Sequence, residues 1–582
     1  MKQPIPRAAD EEAIAAANSA DTRCDRRRVL GVLAGLGVGT TVWQRALAAQ
    51  VEERGRVTAE MIRQAEWISG IELSEEDRES TARSLRRTLR NFQELRDTDI
   101  DYSVPPAIHF QTAAGTDSTP GVARNRAALS ESASPQRPMS DDALAYLPVR
   151  ELAALVRTRQ VTSQELTRLY LKRLRKYNPM LNCVVTYTEE TAMRQARRAD
   201  DEIAAGHYRG PLHGIPWGAK DLISYPGYPT TWGAPQFREQ DTGATATVAR
   251  RLEEAGAVLV AKLALGALAQ GDQWFEGRTN NPWNPEQGSS GSSAGSASAV
   301  AAGLVGFAIG SETHGSIVSP CRRCSATGLR PTFGRISRHG CMSLSWTMDK
   351  LGPITRSVED CALVLDAVHG RDGLDPAAID RPFDWPAARE LADLRVGYVE
   401  TDTPADQRAE LSVLRELGVR LVPIELPRDL PVGAILVMLD VEAAAVFDEL
   451  TRRGDTEGLN SWPATFRRSE FVPAVEYLRA ARGRTLLMRA MEPVMEKVDL
   501  YVGGDDLAIT NLTGHPTVVL PFGTHERDGV RQPNSITFTG RLFGESDLLA
   551  VAHHFQGATG DHLRHPPLDE LLAKHRETST DD

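Results

Sequence analysis

A segment rich in serine and glycine holds the residues best suited to chemistry. Residues 288–316 contain eight serines, seven glycines, no lysine or arginine, and one acid, Glu312. A flexible linker, a phosphate-binding loop and a nucleophile site are three interpretations of this composition. A linker does not fit, because an apolar helical stretch (294–304) and a strand-like run (305–309) follow the first glycines. A P-loop needs a lysine after its glycines, and this segment has no cation. A nucleophilic serine is therefore the favoured interpretation.

Two serines are candidates for that nucleophile. Residues 291–295 formally match G-x-S-x-G, which places Ser293 in the attacking position. That motif must follow a buried strand, whereas residues 280–287 are typical of a turn. In the alternative, a helix of about ten residues covers roughly 15 Å and a returning strand of about six covers roughly 20 Å. The chain would then leave Ser292 and come back beside it at Ser316, which is the stronger geometry.

The turn before Ser316 has the composition of an oxyanion hole. Thr313, His314 and Gly315 lead into the serine. Consecutive backbone N–H groups in a glycine-containing turn, here those of Thr313 to Ser316, are what a developing oxyanion requires.

A nucleophilic serine also needs a base. His314 is the nearest histidine, but a residue two positions before Ser316 is expected to point away from its hydroxyl. Lys220 is the stronger candidate, because residues 214–219 form an apolar, glycine-containing approach. Desolvation there would lower the pKa of the lysine until the neutral amine accepts a proton. The alternative for Lys220 is a surface ion pair with its neighbour Asp221.

The elements that must position these residues indicate an α/β fold. Continuous apolar runs at 257–261 and 517–521 predict strands buried on both faces of a sheet, and residues 244–255 predict a helix of the same α/β pattern. Thr162 and Glu165 form a capping box at the start of another helix. One apolar face of that helix is predicted to carry Leu166, Leu169, Tyr170 and Leu174.

The chain divides by composition into four parts. Residues 1–48 are typical of an export signal, and residues 49–110 predict a small helical extension, because apolar residues recur there every three to four positions. Residues 111–140 are rich in Ser, Ala, Gly, Thr and Pro without periodicity, as in a linker or long loop. The main domain is predicted at 141–575.

Five motifs of the main domain resemble, in order, those of the amidase signature family. The resemblance covers roughly residues 141 to 565. The motifs are Gly214-Ile215-Pro216 with Lys220-Asp221, Ser292-Ser293-Ala294-Gly295-Ser296, Gly310-Ser311-Glu312-Thr313-His314-Gly315-Ser316-Ile317, Gly328-Leu329-Arg330-Pro331-Thr332-Phe333-Gly334-Arg335, and Leu351-Gly352-Pro353.

This resemblance implies a mixed β-sheet wrapped by helices and a Ser-Ser-Lys triad. Lys220 would be the base, Ser292 the bridging serine on a cis peptide bond, and Ser316 the nucleophile. The family's oxyanion donors correspond to the backbone N–H groups of Thr313, His314, Gly315 and Ser316. Residues 506–516 resemble a segment that lines the family's pocket; a plain turn before a strand is the alternative.

The implied activity is hydrolysis of carboxamide bonds outside the peptide backbone, through an acyl-enzyme. One alternative is the amidotransferase subunit that supplies ammonia from glutamine for misacylated tRNA. A second alternative is an inactive binding protein of the same fold. This sequence departs from the family at His314 and at Val318, where the family often has glycine and arginine, so its substrate preference is expected to differ.

Composition limits the partners. A net charge of -11 without a long basic run argues against nucleic acid. The six cysteines are scattered, the spacing of Cys321 and Cys324 is taken as incidental, and we expect neither metal nor cofactor. The predicted partner is a small-molecule amide, and a homo-oligomer is left open.

The N-terminus predicts export. Arg26, Arg27 and Arg28 precede an apolar run (29–43) that is too short to span a bilayer, and Ala46-Leu47-Ala48 supplies small residues for cleavage. The pattern resembles a twin-arginine signal and predicts a periplasmic or extracellular protein with no stable membrane span after signal removal. A disordered basic tail is the alternative.

Overall fold

The computed structural model describes residues 57–100, 107–108, 136–504, 506–527 and 529–579. The predicted export signal (1–48) and most of the predicted linker (111–140) lie outside these residues. The chain separates into two compact units, 1–87 and 88–582. Within the described ranges, no helix is long and apolar enough to cross a membrane.

Two helices form where the N-terminal periodicity predicts them. Helix α1 (Ala59–Ser69) begins at Thr58, whose hydroxyl accepts a hydrogen bond from the Met61 amide at 3.3 Å, and it ends at Gly70 in the left-handed conformation. Helix α2 (Glu75–Asp97) follows after a short turn. Both helices lie within residues 49–110, the range of the predicted extension, and the bounds of that extension stay a prediction.

The described part of the second unit is built on one mixed sheet of eleven strands. The strands of the sheet are β1 (Val184–Tyr187), β2 (Pro216–Lys220), β3 (Val258–Leu263), β8 (Phe307–Glu312), β9 (Thr327–Arg330), β10 (Lys350–Thr355), β11 (Arg395–Val399), β12 (Arg420–Ile424), β13 (Leu500–Val502), β14 (Thr517–Arg527) and β15 (Val530–Gly540). Their order is β1-β3-β2-β8-β10-β9-β14-β15-β13-β11-β12. The strands β2, β3 and β8 are parallel neighbours, as are β11, β12 and β13, and the strands between these two groups pair antiparallel.

Helices and two small hairpins complete the second unit. The hairpins are formed by β4 (Gln273–Trp274) with β5 (Gly277–Arg278), and by β6 (Asn280–Asn281) with β7 (Asn284–Gly288). The helices are α3 (Asp141–Ala145), α4 (Val149–Arg157), α5 (Ser163–Leu181), α6 (Glu189–Ala204), α7 (Thr247–Glu254), α8 (Ala294–Ala301), α9 (Val318–Cys324), α10 (Val358–Val368), α11 (Ala409–Glu416), α12 (Val432–Ile435), α13 (Val437–Val446), α14 (Asp448–Arg453), α15 (Trp462–Ser469), α16 (Ala474–Lys497), α17 (Leu507–Thr513), α18 (Glu545–Thr559) and α19 (Leu568–Ser579).

Both faces of the central strands are buried, as their continuous apolar runs predict. Val518 belongs to one hydrophobic cluster and its neighbour Val519 to another, because successive side chains of a strand point to opposite faces. The predicted capping box is confirmed: the Thr162 hydroxyl accepts from the Glu165 amide at 3.1 Å, and the Glu165 carboxylate accepts from the Thr162 amide at 2.8 Å.

The serine-rich segment folds as loop, helix, turn and strand, with boundaries that differ from the prediction. The helix ends at Ala301 rather than at residue 304, because Gly303 takes a left-handed conformation (φ 63°). The strand β8 starts later and extends to Glu312. Residues 280–287, predicted as a turn, form a hairpin instead, in which Asn281 Oδ1 accepts from the amide of Trp283 at 3.1 Å.

Candidate active site

Lys220 ends β2 and is fully buried. Its Nζ lies 2.8 Å from the hydroxyl of Ser292, 3.1 Å from the hydroxyl of Ser293, and 2.8 Å and 3.3 Å from the hydroxyl and carbonyl oxygens of Ser311. All four partners are uncharged oxygens. The amine is therefore removed from water while it contacts no carboxylate within the described residues.

This environment lowers the pKa of Lys220 to about 7. Burial is the main cause, because it penalises the charged form, and the negative charges of Asp349 and Glu312 act in the opposite direction. Near neutral pH a large fraction of the amine is consequently neutral and holds a lone pair that can accept a proton.

Asp221 does not pair with Lys220. Its carboxylate lies 2.7 Å from Nζ of Lys262, and both side chains are fully buried. The other carboxylate oxygen accepts from the amide of Thr231 at 2.9 Å and also from its hydroxyl. The alternative of a surface ion pair between Lys220 and Asp221 is thus wrong, because β3 supplies the partner of Asp221.

The two adjacent serines have different hydrogen-bonding duties. The Ser293 hydroxyl donates to the carbonyl of Ser311 and accepts from its amide, both at 3.1 Å. Because the Ser293 hydroxyl already donates its proton to Ser311, it accepts the hydrogen bond from Lys220. The Ser292 hydroxyl has Lys220 as its hydrogen-bond partner within the described residues, so its proton is free to move toward Nζ. Complete burial of Ser293 also speaks against the G-x-S-x-G interpretation.

Ser316 returns to the loop that carries Ser292, as the predicted path of the chain requires. The amide of Ser293 donates to the carbonyl of Ser316 at 3.0 Å. The Gly291–Ser292 peptide bond is cis, as the family resemblance implies. Gly310 allows strand β8 to pack closely against the loop that carries Ser292 and Ser293, since a Cβ at this position would lie 2.7 Å from Ser293 Oγ. Ser316 is half-buried, and its hydroxyl is not hydrogen-bonded to that of Ser292 among the described residues.

The turn from Thr313 to Ser316 presents backbone N–H groups. Gly315 takes the left-handed conformation (φ 86°), which a side chain would strain. Within the described part of the chain, the amides of His314, Gly315 and Ser316 have no hydrogen-bond acceptor. Unpaired amides beside a half-buried serine are able to bind an oxyanion. The His314 side chain is exposed.

The buried carboxylate of Glu312 fixes this turn by hydrogen bonds to the backbone that follows it. One carboxylate oxygen accepts from the amides of Ile317 at 2.8 Å and Val318 at 2.9 Å. The other accepts from Arg330 Nη1 and Asn511 Nδ2, both at 2.8 Å. Burial opposes ionisation, but the Arg330 guanidinium and the hydrogen bonds outweigh it and lower the pKa of Glu312 to about 2. The turn is therefore anchored to a permanently ionised carboxylate.

A second carboxylate, that of Asp349, fixes the first residue of the turn, Thr313. The Thr313 hydroxyl donates to Asp349 Oδ1 at 2.6 Å. Asp349 Oδ2 accepts from the amides of Leu344 at 2.7 Å and Ser345 at 2.9 Å. Although burial raises the pKa of Asp349, these donors favour its ionised form. The turn 313–316 and the loop 341–349 are thus joined through Asp349.

The segment 506–516 is a short helix rather than a plain turn. Its helix α17 ends at Gly514 in the left-handed conformation, immediately before β14. The helix reaches the site through Asn511, which donates to Glu312. Through Glu312 it therefore supports the turn 313–316.

The cysteine pair makes no hydrogen bond to Lys220, Ser292 or Ser316 among the described residues. Cys321 and Cys324 are buried free thiols, and burial raises the pKa of both. Across the described ranges there is no group of three or more side chains arranged to hold a metal ion.

Sequence reasoning missed the residues that support the reacting groups. These are Ser311, Glu312, Arg330, Asp349 and Asn511. A signal existed for Glu312, the one acid of its 29-residue segment, and for Arg330, which lies in one of the five motifs. Ser311 also lies in one of these motifs and Asn511 lies in the segment 506–516, whereas Asp349 carried no local signal that distinguishes a hydrogen-bonding support from an ordinary polar residue.

The fold and the site together define a class: an α/β enzyme with a buried lysine and serines beside an amide-lined turn. A profile of the Amidase family matches residues 165–504. The putative amidase AmiD of Mycobacterium tuberculosis (strain ATCC 25618 / H37Rv) is 36% identical over 476 residues, which cover 75% of this chain and 99% of the relative. The chain belongs to the amidase signature family.

Two further similarities bear on the family. A glutamyl-tRNA(Gln) amidotransferase subunit of Moorella thermoacetica is 32% identical, with 73% of this chain and 99% of the relative covered. The structure of the peptide amidase from Stenotrophomonas maltophilia is similar with a TM-score of 0.63 and 28% identity, and covers 72% of this chain and 98% of its own. The predicted family and its mixed-sheet fold are confirmed.

Proposed function

We propose that this enzyme hydrolyses carboxamide bonds outside the peptide backbone, with Ser316 as nucleophile, Ser292 as relay and Lys220 as base. The observation that carries the proposal is the Lys220 amine: it is fully buried, its pKa is about 7, and it lies 2.8 Å from Ser292. A structural lysine would be paired with a carboxylate, as Lys262 is.

In the proposed cycle, neutral Lys220 takes the Ser292 proton while Ser292 takes that of Ser316. Ser316 Oγ then attacks the amide carbon, and the amides of the 313–316 turn stabilise the oxyanion. The proton returns along the same relay to the leaving nitrogen, so that ammonia or an amine departs from an acyl-enzyme. Water, deprotonated by the same relay, releases the acid.

Acyl transfer is tested by two measurements on the purified protein. Ammonia release from simple primary amides should be lost in Ser316→Ala and retained in Ser298→Ala, whose buried hydroxyl donates instead to the carbonyl of Asn280. A fluorophosphonate probe should label wild-type protein at Ser316. A protein that binds amides but neither labels nor releases ammonia would instead be the inactive binding protein.

The similarity to a glutamyl-tRNA(Gln) amidotransferase subunit favours a second candidate function, release of ammonia from glutamine for a partner's use. That function predicts glutamine as the best substrate and stable association with other proteins of such a complex. Comparing kcat/KM for glutamine with that for primary amides lacking the amino acid head group, on the isolated chain, separates the two functions.

The proposed place of work is outside the cytoplasm. Its support is the arginine triplet at 26–28, the apolar run at 29–43 and the small residues at 46–48. Replacing the arginines with lysine should leave the protein in the cytoplasmic fraction if the signal is of the twin-arginine type. Unchanged fractionation would contradict this proposal.

A further inference from the structure

A large cavity shares two lining residues with a small cavity beside the proposed active site. Its volume is about 770 Å³, within the range of cavities that take drug-sized ligands. A smaller cavity beside it is lined by Ser311 and Thr313, the residues next to Lys220 and the oxyanion turn. Arg338 and Cys341 line both cavities. The large cavity is therefore the neighbour of the small cavity that Ser311 and Thr313 line.

The charged side chains of the large cavity neutralise one another. Arg338 donates to both carboxylate oxygens of Asp375, at 2.9 Å and 3.1 Å. Arg484 donates to the hydroxyl and carbonyl of Thr347, both at 2.8 Å, and Glu442 accepts from the same hydroxyl at 2.7 Å. Two arginines and two acids leave no net formal charge, so the lining offers no counter-ion to a charged ligand.

Two large apolar side chains are exposed at this cavity on well-fixed loops. Trp346 is 51% exposed and Leu374 is 56% exposed. The carbonyl of Trp346 accepts from Arg338 at 2.7 Å, and the amide of Leu374 donates to Asp372 at 2.9 Å. Exposed apolar groups whose backbone is held in place are suited to anchoring a ligand, because little conformational freedom is lost on binding.

The loop 341–349 connects the exposed Trp346 side chain to the turn 313–316 of the proposed active site. Both neighbours of Trp346 in the chain are fixed by hydrogen bonds. Ser345 donates to Asp349 and Glu442. Thr347 donates to Glu442 and accepts from Arg484. Asp349 also binds Thr313 of the oxyanion turn. The backbone of Trp346 is consequently held relative to the turn 313–316.

We propose that this cavity binds the acyl part of the substrate and selects an uncharged, apolar or aromatic acyl group, with Trp346 and Leu374 as anchors. This inference rests on the proposed amide hydrolysis. Ammonia as leaving group needs no pocket, so a cavity of this size serves the acyl part. The absence of net charge in its lining disfavours acyl groups with a carboxylate or ammonium, which would lose hydration without a partner.

The experiment compares primary amides that differ only in the acyl group: propionamide, 4-phenylbutanamide, and the latter with a para-carboxylate. Wild-type kcat/KM should be highest for 4-phenylbutanamide and at least about tenfold lower for the charged analogue. Trp346→Ala should lower kcat/KM for 4-phenylbutanamide by about tenfold or more, mainly through KM, and change that for propionamide less than about twofold.

Matched variants separate binding from folding. Trp346→Phe should recover most of the loss, because an aromatic ring remains, and Leu374→Ala should act as a weaker version of Trp346→Ala. Leu563→Ala removes a leucine that is 64% exposed and does not line the cavity, and it should leave both substrates unaffected.

The outcomes distinguish this inference from the proposed function. Equal losses for propionamide and 4-phenylbutanamide in Trp346→Ala, or a wild-type preference for propionamide or the charged amide, would overturn the acyl pocket while leaving amide hydrolysis in place. Preference for anilides of small acids would assign the cavity to the leaving group instead. Failure to hydrolyse any of these amides would overturn both proposals.

Discussion

Two buried lysines on neighbouring strands of the sheet have different partners. Lys220 ends β2, and Lys262 lies on β3 opposite Ala219. Both are fully inaccessible to solvent. Lys262 lies 2.7 Å from the carboxylate of Asp221, whereas Lys220 contacts three serine hydroxyls and one carbonyl. Burial is common to both, and the partner is what differs.

The partner decides whether an opposite charge compensates for the burial of a lysine. A carboxylate in contact favours the ammonium form and holds a lysine as a structural cation. Hydroxyl and carbonyl oxygens hold the amine in place without compensating for its charge, so burial lowers the pKa of Lys220 to about 7. The contrast between the two lysines leads to four predictions, ordered by the size of the expected effect.

Lys220→Ala should remove catalysis without weakening the fold. We expect kcat to fall by about 10⁴-fold or more, because the nucleophile loses its base. The midpoint temperature of unfolding at pH 7 should not decrease, because burying this amine costs free energy. Ammonia release and thermal denaturation followed by circular dichroism measure the two effects. Substantial turnover in this variant would remove Lys220 from the mechanism.

Lys262→Ala should show the opposite behaviour. Removing one partner of a buried ion pair leaves the Asp221 carboxylate uncompensated, and the free energy of unfolding should fall by about 3–5 kcal/mol. The kcat of the folded fraction should stay within about tenfold of wild type. Urea denaturation with active-site titration separates stability from turnover, and Asp221→Ala is the matched control. A stable but inactive Lys262→Ala would contradict the structural role.

The pH dependence of kcat/KM tests directly whether the uncharged partners of Lys220 set its low pKa. Since the neutral amine is the base, kcat/KM should rise with pH through about 7 and level off above it. Ser311→Asp places a carboxylate beside Lys220, as Asp221 is placed beside Lys262. It should move the midpoint of the rise in kcat/KM upward by about one pH unit or more. Activity at pH 7 would then fall about tenfold and recover near pH 9. A profile unchanged by this substitution would show that another group controls it.

Ser311→Ala should have the smallest effect. It removes one hydrogen bond to Lys220 Nζ but retains the backbone contact at 3.3 Å, so we expect kcat to fall by about tenfold or less. Ser298→Ala is a suitable control, because its hydroxyl bonds to Asn280 rather than to the site. A loss as large as that of Lys220→Ala would promote Ser311 from support to catalytic residue.

The chain's local patterns determined much of the outcome. The composition of 288–316, the loop-helix-strand return and the order of five motifs identified Lys220, Ser292 and Ser316 as candidates and predicted the family and its mixed sheet. These features are local or depend on spacing along the chain, which a sequence displays directly. The roles of the three residues, the domain boundaries and the export signal stay predictions.

The tertiary structure alone decided which groups meet. Lys220 and Ser292 are 72 positions apart, and Glu312 binds Arg330 and Asn511 at separations of 18 and 199. Asp221 adjoins Lys220 in sequence, yet pairs with Lys262 across the sheet. A pKa depends on burial and on neighbouring charges, and both arise only when distant segments pack together. The sequence therefore named the lysine, and the packing around it lowered the pKa of its amine to about 7, as the proposed base requires.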